Sequence, residues 1–195
     1  MSTPVIIAIT GGIGAGKSMV SRVLRALGYS VYDCDSRAHS LMEINPAMRS
    51  RIASEITPHA LRADGSLNRR AIAEVVFSDA EKLSQLNDIV HGAVRLDCQR
   101  WAAQTNAQIA FVETAILYES HMNQLVHDVW EVTAPTELRI QRVMQRNGIS
   151  RNQVLERIAA QSSLCHPSHK IIVNDTTTPM VPQILSLLKS YGTIA

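Results

Sequence analysis

A glycine-rich string near the amino end constrains the fold of this chain more than any other feature. The string from Gly11 to Ser18 matches the phosphate-loop pattern G-x-x-x-x-G-K-[ST] at every fixed position, after the apolar run 5–9 and before a helical pattern. Glycines let successive backbone N–H groups turn inward around phosphate oxygens, and the start of the following helix adds partial positive charge. A glycine-rich turn that fits by chance is disfavoured, because strand, loop and helix are all in place. The sequence therefore predicts binding of a nucleoside triphosphate.

Two polar side chains end this loop. Lys17 can reach the β- and γ-phosphates, and the Ser18 hydroxyl can ligate Mg²⁺. The loop thus offers a phosphate site and one ligand for a metal ion. The residues expected to contact the nucleotide here are Gly12, Ile13, Gly14, Ala15, Gly16, Lys17, Ser18 and Met19.

Length and composition argue against several classes of protein. The chain has 195 residues, 46% of them hydrophobic and 18% charged, which suits one α/β domain with room for a small insertion. A net charge of +2 and only 4% aromatic residues disfavour a nucleic-acid partner. Three widely spaced cysteines and the lack of a long apolar run argue against a secreted or membrane protein, so we expect a cytoplasmic protein.

Buried strands alternate with helices along much of the chain. Strands are predicted near residues 5–9, 30–32, 109–112, 128–133 and 171–173, and a capping box, Ser150-x-x-Gln153, starts one of the helices. Such alternation predicts an α/β fold with a three-layer, doubly wound parallel sheet. Ligands of such sheets gather at the carboxyl ends of the strands. The polar residues at those ends are Thr10, Asp33, Asp35 and Glu113.

The stretch 36–106 lacks a convincing central strand. Its patterns are helical, as in a second predicted capping box, Ser78-x-x-Glu81, which leads into Leu83, Leu86, Val90 and Val94. We therefore predict a nucleotide-binding core over 1–35 and 107–195, with a small lid at about 140–165. A helical substrate-binding insertion is predicted over 36–106.

Asp33 and Asp35 directly follow the second predicted strand. On an extended backbone their side chains share one side, so both can face the ligand crevice. A carboxylate there can accept the proton of a substrate hydroxyl as it attacks the γ-phosphate. We expect this role for Asp35 and a substrate contact for Asp33, with helix capping near Ser36 as the alternative.

Several arginines lie on the two helices that are predicted after the fourth strand. Arg142 and Arg146 are four residues apart and share a helical face. They can close over ATP and neutralise charge on the transferring phosphoryl group, as mobile segments of kinases do. The alternative is a solvated arginine face.

Other polar residues have two interpretations each. Asn87, His91 and Arg95 form a polar line on one predicted helix, which suits either a substrate site or ordinary amphipathicity. Arg69 is either a phosphate binder or an exposed residue at a helix start. Glu113 at a strand end can hold Mg²⁺, or it can pair with an arginine for structural reasons, as Glu119 also can.

Taken together, these segments resemble the dephospho-CoA kinase family, and the similarity runs across nearly the whole chain. The phosphate loop specifies only a superfamily, whereas the ordered set of motifs is much more specific. The matching segments are 10–18, 33–35, 64–69, Phe77, 86–91, 115–119, Arg142 with Arg146, 157–161 and 172–175.

The resemblance implies transfer of the ATP γ-phosphate to the ribose 3′-hydroxyl of dephospho-CoA, which gives CoA and ADP, with Mg²⁺ as the metal. Asp35 matches the catalytic base that is proposed for the family, and Arg142 with Arg146 match its lid arginines. Asn174 falls where the family places a residue near the adenine of ATP. The positions that match the helical substrate domain are Arg69, Asn87 and His91.

Three positions depart from the family pattern. Met19 replaces the usual Thr or Ser, Gly92 stands where a proline usually follows the histidine, and Ala115 replaces a further proline. None of these changes removes a group that phosphoryl transfer requires.

Two other functions share the same core. One is a kinase for a nucleoside, a nucleotide or another small molecule, and the other is a nucleotide-dependent switch or ATPase without an acceptor. A guanine-reading Asn-Lys-x-Asp or Thr-Lys-x-Asp motif is absent from the sequence, which argues against a GTPase switch. We expect a monomer or a weak homo-oligomer with a small-molecule substrate.

Overall fold

The computed structural model of the chain describes residues 4–161, 166 and 168–192. Contacts divide the chain into two compact units. The first contains the chain up to Val31, Thr105–Leu117 and the chain from Val126 onward. The second contains Tyr32–Gln104 and Tyr118–Leu125.

A five-stranded parallel sheet organises the fold, as the alternation of strands and helices predicts. Its order is β2-β3-β1-β4-β5, so the strand that leads into the glycine-rich loop lies in the centre. Parallel sheets are covered on both faces, which explains why the central strands are almost uniformly apolar. The strands are β1 (Val5–Thr10), β2 (Ser30–Asp33), β3 (Ile109–Glu113), β4 (Asp128–Thr133) and β5 (Lys170–Val173).

Eight α-helices and two short 3₁₀ helices occur in the part of the chain that the structure describes. The 3₁₀ helices span Pro58–Ala60 and Met122–Leu125. None of the described helices is long and apolar enough to cross a bilayer. The α-helices are α1 (Lys17–Ala26), α2 (Cys34–Ile44), α3 (Pro46–Glu55), α4 (Arg69–Val76), α5 (Ala80–Gln104), α6 (Thr136–Asn147), α7 (Arg151–Ala159) and α8 (Met180–Lys189).

The core of the first unit joins the sheet to α1 and α8. Phe111 and Trp130 lie side by side on β3 and β4, with ring centroids 5.1 Å apart. Leu24 of α1 and Ile184 of α8 belong to the same hydrophobic cluster and are fully buried. This packing fixes the central strands, and with them the start of the glycine-rich loop.

Side-chain hydrogen bonds cap the starts of α7 and α5. The sequence predicts the first cap correctly and the second one wrongly. The Ser150 side chain accepts from Gln153 N while Gln153 Oε1 accepts from Ser150 N, which confirms the capping box of α7. At α5 the predicted box is wrong. Asp79 Oδ1 accepts from the amides of Glu81 and Lys82, because a carboxylate one residue further along outcompetes the Ser78 hydroxyl.

Helix α5 is the centre of the second unit. Its buried residues do not match the predicted stripe: Val94 is buried, but Leu83 is 40% exposed. The Asp97 carboxylate on α5 receives a bidentate hydrogen bond from Arg37 and one from the Tyr32 hydroxyl. Burial and this bond raise the pKa of Tyr32 above its ordinary value, so it stays a donor. The buried positions of α5 are Ile89, Val94, Cys98 and Ala102.

Candidate active site

The glycine-rich string from Gly11 to Ser18 follows β1, where the sequence predicts it, and its last two residues are the first two of α1. Gly11 has a φ of 140°, and a Cβ at this position would lie 2.2 Å from the Val132 carbonyl oxygen on β4. Gly14 has a φ of 77°, and a Cβ there would lie 2.6 Å from the Arg139 carbonyl oxygen. Both glycines are therefore needed for left-handed backbone and for close approach to neighbouring elements.

Lys17 lies across the start of this loop. Its Nζ atom donates to the carbonyl oxygen of Gly11 at 2.7 Å and to that of Gly12 at 3.4 Å. An ammonium group at this position is a compact positive charge beside the loop. The arrangement can bind the terminal phosphates of a nucleotide that lies in the loop.

Arg142 and Asn174, two predicted site residues, meet at the same loop. The Arg142 guanidinium donates to the carbonyl oxygens of Gly14 at 3.4 Å, Ala15 at 3.5 Å and Asn174 at 3.2 Å. Asn174 Nδ2 donates to the Ala15 carbonyl at 2.7 Å. Helix α6 and the residue after β5 are therefore both attached to the phosphate loop by side chains.

Arg146 lies one helical turn after Arg142 but has a different environment. Its Nε atom donates to Asn147 Oδ1 at 2.9 Å, and its side chain is exposed. The structure therefore brings Arg142, and not Arg146, to the phosphate loop.

Two residues that sequence reasoning left out of the site bind the loop at Ile13. Arg139 Nε donates to the Ile13 carbonyl at 2.9 Å, and Ile13 N donates to Gln161 Oε1 at 2.7 Å. Burial lowers the pKa of the Arg139 guanidinium, which remains charged at neutral pH. Arg139 lies three residues before Arg142 on the same helical face, and this spacing is the signal that would have found it. Gln161 lies beyond the end of α7, where helical spacing carries no information.

The oxygen ligands predicted for a metal are both in the first unit. Ser18 is the second residue of α1 and is exposed, as is the neighbouring Met19. Glu113 is the last residue of β3, half-buried and in register with Ile9 of β1. Among the residues described, no group of three or more His, Cys, Asp or Glu side chains could hold a metal ion unaided.

Asp33 and Asp35 do not share an extended backbone, so the geometry expected for this pair is wrong. Asp33 is the N-cap of α2, and its carboxylate accepts from Ser36 N at 3.1 Å and from Ser36 Oγ at 2.9 Å. This cap starts the helix at Cys34, so Asp35 already lies in the first helical turn. The Asp35 side chain is exposed, and no described side chain forms a hydrogen bond with its carboxylate.

Arg69 occupies the first position of α4 in the second unit. Its Nη2 atom forms an ion pair with Glu43 Oε1 at 2.6 Å, and Nη1 lies 3.3 Å from His39 Nδ1. Both side chains of the ion pair are about half exposed. Arg69 is thus held against α2, with much of its guanidinium open to solvent.

The polar line on α5 divides into residues with different environments. Asn87 is exposed, whereas His91 is half-buried. Burial and the charge of Arg95 lower the pKa of His91, so the imidazole is neutral at pH 7. Arg95 donates to the Ser120 carbonyl at 2.7 Å, which attaches α5 to the segment that carries the exposed Glu119.

Comparisons with known proteins all point to one family. The family pattern of dephospho-CoA kinases matches residues 5–180. The dephospho-CoA kinase of Porphyromonas gingivalis is 35% identical over 193 residues, which cover 97% of this chain and 95% of that protein. A crystal structure from Thermus thermophilus has a TM-score of 0.78 at 34% identity and full coverage of both chains.

A more distant structure shares the fold alone. The dephospho-CoA kinase of Campylobacter jejuni has a TM-score of 0.65 at 22% identity, with 97% of this chain and 98% of that chain covered. The family match over most of the chain, together with the relative at 35% identity, confirms the resemblance of the motifs. This chain belongs to the dephospho-CoA kinase family of phosphotransferases.

Proposed function

We propose that the protein transfers the γ-phosphate of ATP to the ribose 3′-hydroxyl of dephospho-CoA and releases CoA and ADP, the last step of CoA biosynthesis. Membership of the family supports the substrate. The observation that carries the chemistry is the glycine-rich loop, where Lys17 donates to the Gly11 carbonyl and Arg142 donates to the carbonyls of Gly14 and Ala15. Phosphoryl transfer depends mainly on positioning and charge, and these groups provide both.

Lys17 and Arg142 bind the transferring phosphoryl group in this proposal. Both now donate to carbonyl oxygens of the loop, and each can turn toward anionic phosphate oxygens, which are stronger acceptors than neutral carbonyls. Arg146 joins them when the α6–α7 pair closes as a lid. Residues 162–165 of the predicted lid lie outside the described residues.

Asp35 is the proposed general base. Its exposed carboxylate, with no hydrogen-bond partner among the described side chains, is available to accept the proton of the substrate hydroxyl. Asp33 contributes as the cap that holds the first turn of α2, and therefore Asp35, in place. A contact between Asp33 and the substrate stays a prediction.

A divalent cation fits the oxygen donors that are present. Mg²⁺ usually takes one or two protein oxygens and completes its octahedron with phosphate oxygens and water. The Ser18 hydroxyl and the Glu113 carboxylate, both in the first unit, are donors of this kind. When bound, Mg²⁺ neutralises charge on the β- and γ-phosphates. The loop residues from Gly12 to Met19 and Asn174 hold the rest of the nucleotide in this proposal.

The second unit supplies the acceptor site in this proposal. Arg69 offers a partly exposed positive charge, and Asn87 offers an exposed amide on α5. The neutral imidazole of His91 can donate or accept one hydrogen bond. The proposal also includes a nucleotide-binding core over 1–35 and 107–195 and a helical insertion over 36–106. It includes a cytoplasmic location and a monomer or weak homo-oligomer.

A panel of acceptors tests this function. ADP release is measured with Mg·ATP alone and with dephospho-CoA, adenosine, AMP, thymidine or shikimate. We expect little release without an acceptor and strong stimulation by dephospho-CoA only. Equal turnover with and without acceptor would indicate an ATPase, and stimulation by another acceptor would indicate a different small-molecule kinase.

A further inference from the structure

Ile13 of the phosphate loop contacts α6, α7 and one residue that follows α7. Its carbonyl accepts from Arg139 Nε at 2.9 Å, and its amide donates to Gln161 Oε1 at 2.7 Å. Its side chain packs against the buried cluster of Ile140, Val143 and Val154. Ile13 is therefore a residue of the phosphate loop that contacts both helices of the α6–α7 pair.

Gln161 has a specific chemical role in this arrangement. A phosphate loop works through the direction of its N–H groups, and each peptide plane sets the direction of the next. Gln161 gives the Ile13 amide an acceptor that does not depend on a bound nucleotide. Together with the Arg139 bond, it fixes the peptide planes on both sides of Ile13.

We propose that Gln161 is a positioning residue for phosphoryl transfer, which orients the first half of the phosphate loop through the Ile13 amide. This inference rests on the proposed function, because it assumes that the loop binds the phosphates of ATP. Small misplacements of reacting groups are costly in such sites, so a residue that touches no substrate can still change turnover. Gln161 is the second residue after α7, after the C-cap Ala160, and its hydrogen bond therefore links the end of this helix to the loop.

The chain offers a matched control for the test. Gln153 also accepts a backbone N–H with its Oε1 atom, from Ser150 at 2.9 Å, at the opposite end of α7. Gln161→Met and Gln153→Met each keep the length of the side chain and remove the acceptor. Gln161→Met loses a bond to the phosphate loop, whereas Gln153→Met loses the acceptor for Ser150 N and Ser150 Oγ within the cap of α7.

Three quantities are measured for each variant: hydrogen exchange of the Ile13 amide without nucleotide, the Kd for ADP, and kcat with KM for both substrates. For Gln161→Met we expect faster exchange of the Ile13 amide and an increase of about fivefold in the Kd for ADP and the KM for ATP, the scale of one lost hydrogen bond. We expect a further loss in kcat and an unchanged KM for dephospho-CoA. Gln153→Met is expected to keep all of these values within twofold.

Two results would overturn the inference. One is an Ile13 amide that exchanges equally fast in both variants, and the other is a Gln161→Met enzyme with wild-type kcat and nucleotide affinity. Failure of the proposed function looks different, because the wild-type protein itself would then bind no ADP or phosphorylate no dephospho-CoA.

Discussion

The close approach of Gly11 to β4 leads to a quantitative prediction. In Gly11→Ala the new Cβ would lie 2.2 Å from the Val132 carbonyl oxygen, and the residue would have to adopt a φ of 140°. Left-handed or otherwise rare backbone costs an ordinary residue about 1–3 kcal/mol. Relief of the contact needs a movement of about 1 Å by the loop or by β4, and such overpacking costs about a further 1–3 kcal/mol.

Gly28→Ala is the matched control for this change. Gly28 follows α1 in the same unit and has a φ of 89°, but a Cβ there would meet no atom within 4 Å. It therefore carries the backbone cost without the collision. Comparison of the two variants isolates the effect of displacing the phosphate loop.

Urea unfolding and steady-state kinetics with ATP as the varied substrate measure both effects. We expect Gly28→Ala to be destabilised by about 1–2 kcal/mol with kcat/KM for ATP nearly unchanged. Gly11→Ala should be less stable than this control and lose about 10²-fold in kcat/KM, because a misplacement near 1 Å has that effect on reacting groups. Equal kcat/KM in the two variants would refute the argument that β4 determines the position of the loop.

Further predictions concern charge and proton transfer. Lys17→Ala should weaken ADP binding and lower turnover together, and retained turnover would contradict the phosphate-loop assignment. Asp35→Asn should lower kcat by about 10² or more while the Kd for ATP stays within about threefold, and a near-normal kcat would remove Asp35 from the mechanism. Burial opposes ionisation of Asp128, but hydrogen bonds from Lys170 and Tyr191 outweigh it and lower its pKa. A depressed folded-state pKa gives stability that is present above the unfolded value near 3.8 and is lost as the pH falls through the folded value. The Tm advantage of the wild type over Asp128→Asn should therefore shrink below about pH 4, and a constant difference from pH 7 to pH 3 would contradict this.

Much of the fold could be predicted because its strands are continuous apolar segments. β3 and β1 are buried on both faces, and burial of this kind produces hydrophobic runs that are visible in a single sequence. The capping box at Ser150 is equally local, since its partners are three residues apart. Patterns of this range specify helix ends without any knowledge of the tertiary structure.

The predictions failed where two local interactions compete. At the end of β2, Asp33 was expected to continue an extended backbone, but its carboxylate caps α2 and turns Asp35 into the helix. At α5, Asp79 displaces Ser78 as the capping residue. In the first case a capping hydrogen bond competes with a continued strand, and in the second two neighbouring residues can each cap the helix; sequence alone does not rank such alternatives.

Only part of the candidate site could be predicted, because some of its residues form one motif and others meet only in the folded chain. The phosphate loop and Lys17 belong to one continuous motif, so spacing identifies them. Arg139 and Gln161 reach Ile13 from 126 and 148 residues away, and only the folded chain brings them together. Periodicity also gave Arg142 and Arg146 one shared role, whereas the structure places only Arg142 at the loop.

The central claim is that this chain moves the terminal phosphate of ATP to the ribose of dephospho-CoA. Phosphorus NMR of a reaction that contains Mg·ATP, dephospho-CoA and the wild-type protein tests it directly. We predict a new phosphomonoester resonance at the 3′ position that grows in step with ADP. Appearance of inorganic phosphate instead, with no 3′-phosphomonoester, would contradict the claim.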